Sequence, residues 1–479
     1  MNKADFLAAH KCLTMAWYRH RDDQSVPDLA ARFRMQQGRE VAEYARELWR
    51  EGTLVGGPTG EAISLTQRLI KSGARTIFEA TFRSDPYVAK ADVLIQNGDG
   101  WDVIEIKSSF SNSTKVAHDY VDDLAYTVMV LRRAGIKVKR SHLLLLSRDY
   151  RYGDSVSNLF KTLDKTQDVD ARAAEYGQVA DDIGAAVHGA EPPQAVLKHA
   201  CRSCDFLNTV CLGSGIQHTV FELLNLHKTK FERLYSEGVV DIAETPSDLS
   251  LTVMQQRVKD TVDSGQVFVA PELAPELGAL QWPCYYLDFE TVATVMPLYE
   301  GHGCHRQVLT QFSVHRRDGP QARLDHYEFL ADATKDQERE LAERLIEVLG
   351  AQGDIVVYSH FESVRIKALI SRFPDLIDPL EAIRRRLTDF AKIVRKHVYH
   401  PAFHGSFSLK KVIPALVPDV TYADLEIGDG DAAISIFAKM ARNEISDIED
   451  ARTNLLAYCK TDTLVMVRLH DKLTNLAPS

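Results

Sequence analysis

The stretch Cys201-Arg-Ser-Cys204, followed by Cys211, determines how this chain is organised. Three clustered thiols are one ligand short of the four that a tetrahedral site takes. Three of the remaining four cysteines are scattered singly through the C-terminal half, so Cys12 is the fourth ligand that we expect. A site built from these thiolates would close residues 12–211 into one loop. The spacing therefore predicts one domain within that loop and a second domain after it.

Length and composition predict a multidomain globular protein. A chain of 479 residues that is 45% apolar and 26% charged is long enough for two or three domains, each with its own core. No apolar run has the length of a membrane span, and Met1–Asp5 does not begin a signal peptide. We expect a cytoplasmic protein, in which clustered cysteines bind a metal rather than form disulfides.

The formal net charge of −10 is weak evidence against nucleic acid as a partner. Active-site carboxylates add to that total, while nucleic acid binding depends on local basic patches. One such patch is Arg384-Arg385-Arg386, although a run of this kind is more often a solvated helix face.

The N-terminal part predicts a mixed α/β core. Two helices are expected early, three strands follow with a hairpin turn at Asn97-Gly-Asp-Gly100, and a helix and a further strand complete the core. The predicted helices cover residues 5–18, 38–51 and 117–134, and the predicted strands cover residues 76–82, 88–95, 101–107 and 142–147.

Candidate catalytic residues lie on those strands. Side chains alternate across a strand, so Glu105 and Lys107 share a face, and the paired strand can place Asp92 beside them. Two carboxylates and an ammonium group suit a Mg²⁺ site with a cation that orients water, and Glu79 is a possible further ligand. Taken alone, Glu105-Ile-Lys107 is much better explained as the polar face of a half-buried strand.

Together with the cysteines, these residues resemble the RecB-like branch of the PD-(D/E)XK nucleases over residues 1–212. The resemblance implies a restriction-endonuclease-like fold with catalytic residues Asp92, Glu105 and Lys107. It also implies that the four cysteines bind a structural [4Fe–4S] cluster, although four thiolates suit Zn²⁺ as well. Two features of the family are missing here: a histidine in the segment 38–43 and a glutamine before Tyr126.

Residues 213–280 are predicted to form a helical connector, and residues 281–479 a second α/β domain. Its first strand, Cys284-Tyr-Tyr-Leu-Asp-Phe-Glu290, places Asp288 and Glu290 on one face. Glu362 follows a second strand at 354–358, and Tyr458 and Asp462 lie one turn apart on a helix over 453–473. Convergence of these acids would require cations to offset their repulsion.

These motifs resemble those of the DEDD exonucleases of the ribonuclease H-like fold. The resemblance implies that Asp288, Glu290, Glu362 and Asp462 bind two Mg²⁺ or Mn²⁺ ions, that Tyr458 positions water, and that nucleotides leave from a 3′ end. Glu362 stands where the family usually has aspartate. The whole chain also resembles a bacterial family of unknown function that joins an Fe–S RecB-like half to a DEDD-type half, notably over His404–Pro414.

The sequence thus predicts a metal-dependent DNA nuclease with two candidate sites, serving genome repair or defence against foreign DNA. One alternative is a 3′–5′ exonuclease of RNA. Another is a DEDD exonuclease whose N-terminal half is catalytically inactive and serves only to bind DNA, with the cluster holding its fold together. A scaffold with two inactive sites is the third, which the five C-terminal motif residues oppose.

Overall fold

The computed structural model describes residues 1–21, 27–213, 215–420 and 425–478. It is a mixed α/β protein, as the sequence predicts, and it divides into two compact units. Unit 1 consists of Met1–Val196 and Thr294–Arg306, and unit 2 of Leu197–Ala293 and Gln307–Ser479. Within the described ranges, none of the helices is both long and apolar enough to cross a bilayer.

Unit 1 is built on a six-stranded mixed sheet whose spatial order follows the chain. The pairs β1–β2 and β4–β5 are parallel, while the other neighbours are antiparallel. The strands are β1 (Thr53–Leu54), β2 (Thr76–Ser84), β3 (Tyr87–Asn97), β4 (Gly100–Phe110), β5 (Val138–Leu146) and β6 (Phe160–Asp164). The hairpin expected at 97–100 joins β3 to β4.

The helices of unit 1 bury apolar faces against this sheet and each other. They are α1 (Lys3–Lys11), α2 (Leu13–Arg21), α3 (Leu29–Arg46), α4 (Thr59–Lys71), α5 (Asp119–Arg133) and α6 (Thr166–His188). α5 is buried from Leu124 through Leu131 and forms the centre of the core. The single helix predicted over 5–18 is instead two helices, because Cys12 has extended backbone angles.

Unit 2 contains a five-stranded mixed sheet with the order β10-β9-β8-β11-β12. β9 is antiparallel to both of its neighbours, and β8, β11 and β12 run parallel. β7 and β13 form a separate antiparallel pair. The strands are β7 (Phe268–Val269), β8 (Cys284–Val292), β9 (Val308–Arg317), β10 (Leu324–Leu330), β11 (Ile355–Val357), β12 (Leu387–Asp389) and β13 (Val398–Tyr399).

Helices surround this sheet, and the longest of those described, α16, packs across β8 and β9. They are α7 (Lys228–Ser236), α8 (Val253–Ser264), α9 (Leu273–Gly278), α10 (Glu338–Leu349), α11 (Phe361–Arg372), α12 (Ile377–Arg385), α13 (Phe390–His397), α14 (Leu409–Leu416), α15 (Gly430–Ala441) and α16 (Ile448–Leu476). Within the segment predicted as a helical connector, a 3₁₀ turn over Val220–Glu222 with a Thr219–Glu222 capping box precedes α7, which begins at Lys228.

The compact units do not follow the predicted domain bounds at every point. Residues 197–280, which include the predicted connector, pack within unit 2, while Thr294–Arg306 packs within unit 1. The expected domains at 1–212, 213–280 and 281–479 stay predictions.

Candidate functional site

Three carboxylates converge in unit 2 on the central strand β8 and the helix α16. Ligand oxygens of Asp288, Glu290 and Asp462 all lie within 4.8 Å of one another. Asp288 and Glu290 share a face because they are two residues apart on a strand. α16 covers that face and brings Asp462 onto it. We call these three residues the acidic cluster.

Burial and mutual repulsion make it unfavourable for all the carboxylates of the acidic cluster to be ionised together. Burial, with repulsion from Asp462 and Glu362, raises the pKa of Glu290 to about 8. Burial and the same neighbours, together with Glu290, raise the pKa of Asp288 well above its ordinary value. Carboxylates arranged in this way are ligands for a hard cation, which would relieve the repulsion.

Glu362 lies in the first turn of α11, next to the acidic cluster. In the part of the chain that the structure describes, it is not one of the carboxylates within 4.8 Å, but its charge contributes to the raised pKa of Asp288 and Glu290. Burial raises its own pKa to about 7, while Ser359 Oγ, 3.4 Å from its Oε2, favours the ionised form. Asp389 is nearby as the N-cap of α13.

Tyr458 projects from α16 one turn before Asp462 and is buried. Burial and the charges of Asp462, Glu290 and Asp288 raise the pKa of its phenol, so the hydroxyl keeps its proton. Next to it in the chain, the Cys459 thiol lies 3.5 Å from Asp288 Oδ2 and donates toward it. Burial raises the pKa of Cys459 well above its ordinary value, so it acts as a neutral donor.

A pocket of about 540 Å³ opens over these side chains. The acidic cluster and Tyr458 form one wall with Tyr358, whose hydroxyl donates to Phe407 O at 3.1 Å. The other residues that line the pocket are apolar apart from Lys410, and they include Leu409, Ile413, Pro414 and Met466. The pocket therefore combines the carboxylates of the acidic cluster, the ammonium group of Lys410 and an apolar surface.

The N-terminal candidates also meet, on the neighbouring strands β3 and β4 of unit 1. Asp92 Oδ2 accepts a hydrogen bond from Ile106 N at 2.7 Å, and the Glu105 carboxylate is buried. Burial and repulsion from Glu105 raise the pKa of Asp92 to about 7. Glu79 adds to that repulsion and has a positive φ of 55°, so the local backbone of β2 is strained beside Asp92.

Two lysines hold the Glu105 carboxylate. Lys107 Nζ lies 2.9 Å and Lys3 Nζ 2.5 Å from Glu105 Oε1. Burial alone would raise the pKa of Glu105, but the lysines lower it to about 2. Lys107 also donates to Asp123 on α5. Burial disfavours the ammonium charge, yet Glu105 and Asp123 raise the pKa of Lys107 above its ordinary value.

The cysteines lie in short, irregular helical segments. Cys201 is in a 3₁₀ helix, Cys204 caps it, and Cys211 ends the π-helical turn Leu207–Cys211. All three pack partly against the core of unit 2, and Lys198 N donates to Cys201 Sγ at 3.3 Å. Cys12 belongs to unit 1, between α1 and α2, where Met15 N donates to its sulfur at 3.5 Å.

Several residues that contact the two candidate sites were not predicted from the sequence. Lys3 and Asp123 are 102 and 16 residues from their partners, so no local spacing signals them. Gln311 pairs with Glu290 across β8 and β9 and donates to Leu455 O at 2.9 Å. Only Cys459 carried a local signal, since it adjoins Tyr458 in the sequence.

Comparison with known proteins gives one family match. A model described as a domain of unknown function (DUF2779) matches residues 285–408. The matched segment includes Asp288, Glu290 and Glu362 but ends before Tyr458 and Asp462. The search of curated proteins produced no match.

Proposed function

We propose that this protein is a metal-dependent DNA nuclease whose principal active site is the acidic cluster of unit 2. The observation that carries the proposal is the convergence of Asp288, Glu290 and Asp462 within 4.8 Å at the floor of an open pocket. Apolar side chains at these positions would pack without the desolvation and repulsion that the carboxylates suffer. The presence of three mutually repelling acids here therefore indicates a functional site.

The sheet of unit 2 supports a ribonuclease H-like fold for this half. Numbered along the chain from β8 to β12, its strands have the spatial order 3-2-1-4-5, with only the second strand antiparallel to its neighbours. The motif acids occupy the first strand, the helix after the fourth strand and the last helix. This placement agrees with the resemblance to DEDD exonucleases.

The donor set suits Mg²⁺ or Mn²⁺, because it consists of carboxylate oxygens without imidazole or thiolate. Bound ions of this kind activate water and offset the charge that develops on a phosphate. In our proposal Asp288, Glu290 and Asp462 hold the ions. The protonated Tyr458 hydroxyl orients the attacking water by a hydrogen bond.

Other residues of the pocket would hold the substrate. Lys410 supplies a positive charge for a backbone phosphate, and the apolar side chains provide a surface for the terminal base and sugar. A pocket lined in this way fits the end of a single strand, so we propose removal of nucleotides from a 3′ end. Genome repair or defence against foreign DNA is the proposed role, and the cytoplasm the proposed location.

A second active site is proposed at Asp92, Glu105 and Lys107 in unit 1, on a RecB-like PD-(D/E)XK fold. The observation that favours it is the half-buried Asp92 and the buried Glu105 on adjacent strands, with Lys107 on the same face as Glu105. Here the Glu105 carboxylate is already paired with two ammonium groups. Both lysines contact Oε1, and among the described residues Oε2 is buried without a hydrogen-bond partner, so Oε2 is the oxygen that could bind an ion.

Cleavage of linear and circular single-stranded DNA, with Mn²⁺ or with EDTA, tests both sites. We expect wild type to shorten linear DNA, a blocked 3′ end to stop it, and Asp288→Asn to abolish it, with the half-exposed Asp325→Asn as control. Cleavage of circles that Asp92→Asn removes would assign an endonuclease to unit 1. Shortening of RNA alone, or shortening from the 3′ end that survives Asp288→Asn, would overturn the proposal.

A further inference from the structure

A third group of potential ligands lies in unit 2, separate from the residues assigned above. His218, Glu222 and His404 offer two imidazole nitrogens and a carboxylate oxygen, all within 4.8 Å of one another. His218 Nδ1 lies 2.9 Å from Glu222 Oε2, and His404 Nδ1 lies 3.3 Å from Glu222 Oε1. Two imidazoles thus converge on the two oxygens of one carboxylate.

The 2.9 Å separation is that of a hydrogen bond, while the 3.3 Å separation equals that of two ligands of one ion. Two ligands bonded to Zn²⁺ at a tetrahedral angle, each about 2.0–2.1 Å from the ion, lie about 3.3 Å apart. The imidazole rings stack with 5.0 Å between centroids and 20° between planes. Two imidazolium rings in that position would repel each other, whereas a single divalent ion would suit two neutral rings.

The backbone around the three residues is fixed independently of any ligand. Glu222 is anchored by the hydrogen bond from Thr219 N to its Oε1 at 3.2 Å, and its side chain is only 10% exposed. His404 has a left-handed backbone with φ 47°, an unfavourable conformation that recurs at functional sites. Gly405, with φ 71°, lies so close to Glu222 that an added Cβ would come within 2.4 Å of the Glu222 carbonyl oxygen.

Part of this arrangement carries a sequence signal. His218 and Glu222 are four residues apart in the sequence, and His404 and Gly405 are two consecutive residues with left-handed backbone angles. His404 is 182 residues from Glu222, so only the fold brings the third ligand to the site. The 44% exposure of the His404 side chain places the site at the surface, where an ion can enter and a fourth position can take water.

We propose that His218, Glu222 and His404 form a binding site for a divalent transition metal ion, with Zn²⁺ as the probe ion. Two imidazoles and one carboxylate are a recurrent Zn²⁺ ligand set with an open position. The ion would join the segment before α7 to the turn before α14. This inference does not depend on nuclease activity, because its ligands are separate from the acidic cluster.

Zinc content of the full-length protein tests the proposal. Wild type and variants are dialysed against the same micromolar free Zn²⁺ in excess Mg²⁺, which occupies carboxylate-only sites. Glu222→Gln and His404→Asn should each bind about one equivalent less Zn²⁺ than wild type. Asn tolerates the left-handed backbone of residue 404. The control, His400→Asn, keeps an acceptor for Ala402 N and should bind as wild type does.

Two further measurements separate this site from the cysteines and from misfolding. Zn²⁺ should raise the melting temperature of wild type by more than it raises that of Glu222→Gln. Co²⁺ bound at this site should show visible d–d bands without thiolate charge transfer, and His218→Gln should abolish them. Equal zinc content in wild type and Glu222→Gln, when both are folded, would overturn the proposal.

Discussion

Asp288 and Glu290 are charged side chains on a central strand whose other positions are buried and, apart from Thr291, apolar. The acidic cluster stores unfavourable energy, because the carboxylates lose hydration and repel one another. A site of this kind trades stability for function, so removing a charge should stabilise the metal-free protein while it destroys activity.

We expect Glu290→Gln to stabilise the metal-free protein by about 1–3 kcal/mol near pH 8. The raised pKa of Glu290, about 8, means that the folded state keeps a proton which the unfolded chain releases near its ordinary pKa. Stability of metal-free wild type should therefore fall as pH rises from about 4.5 to about 8. Glu290→Gln should weaken this dependence. Urea unfolding in EDTA at about pH 6 and about pH 8.5 measures both effects.

The exposed Glu272→Gln serves as the control for that experiment, with unchanged pH dependence expected. Mn²⁺ should restore stability to wild type at high pH and have less effect on Glu290→Gln. A metal-free wild type that becomes more stable as pH rises over this window would contradict the assignment of the acidic cluster as an unfavourable group.

Tyr458→Phe should slow 3′-end shortening by roughly 100-fold while leaving the melting temperature nearly unchanged. The substitution keeps the buried ring and removes only the hydroxyl that is proposed to orient water. Single-turnover rates at saturating Mn²⁺ measure the effect, and Tyr327→Phe, half-buried on β10, is the matched control. A Tyr458→Phe variant with the wild-type rate would exclude a role for the hydroxyl.

At the scale of secondary-structure elements, α16 shows what the sequence could predict. The four-residue spacing of Tyr458 and Asp462 predicts a shared helix face, and α16 presents both residues to the pocket. The alternation in Cys284–Glu290 likewise predicts the shared face of Asp288 and Glu290. These inferences succeed because they depend only on the periodicity of one element.

Other features depend on packing between elements and were not predictable. The break between α1 and α2 at Cys12 interrupts a helical pattern without glycine or proline. The pairing of Lys3 with Glu105 requires α1 to lie beside β4, which no periodicity in either segment specifies. The same holds for His404 and Glu222, whose contact is set by the turn at Gly405.

Gly405→Ala tests how tightly that turn is packed, and should destabilise the protein by about 2–4 kcal/mol. The new methyl group would have to share space with the Glu222 backbone, and alanine disfavours φ 71°. Gly238→Ala is the matched control, because Gly238 has φ 76° but open space around its Cβ position. Its cost should be limited to about 1 kcal/mol. Thermal unfolding followed by circular dichroism compares them, and equal losses would show that close packing is unimportant at Gly405.

At the scale of the whole molecule, the four predicted cysteine ligands belong to different units. Cys12 is in unit 1, while Cys201, Cys204 and Cys211 are in unit 2. In our proposal one metal binds all four thiolates, and closing a loop of nearly two hundred residues stabilises a fold more than closing a short one does. Removing any one thiolate should release the same metal.

We expect Cys12→Ser and Cys204→Ser to lose iron to the same extent when the protein is purified without oxygen. Both variants should also lose the broad absorption of a [4Fe–4S] cluster toward the blue end of the visible spectrum. Cys304→Ser, a buried cysteine of unit 1 outside the predicted set, is the control and should keep both. Zinc in place of iron would replace the cluster by a Cys₄ Zn²⁺ site with the same ligands. Full metal content in Cys12→Ser would show that Cys12 is not a ligand and that residues of unit 2 bind the metal.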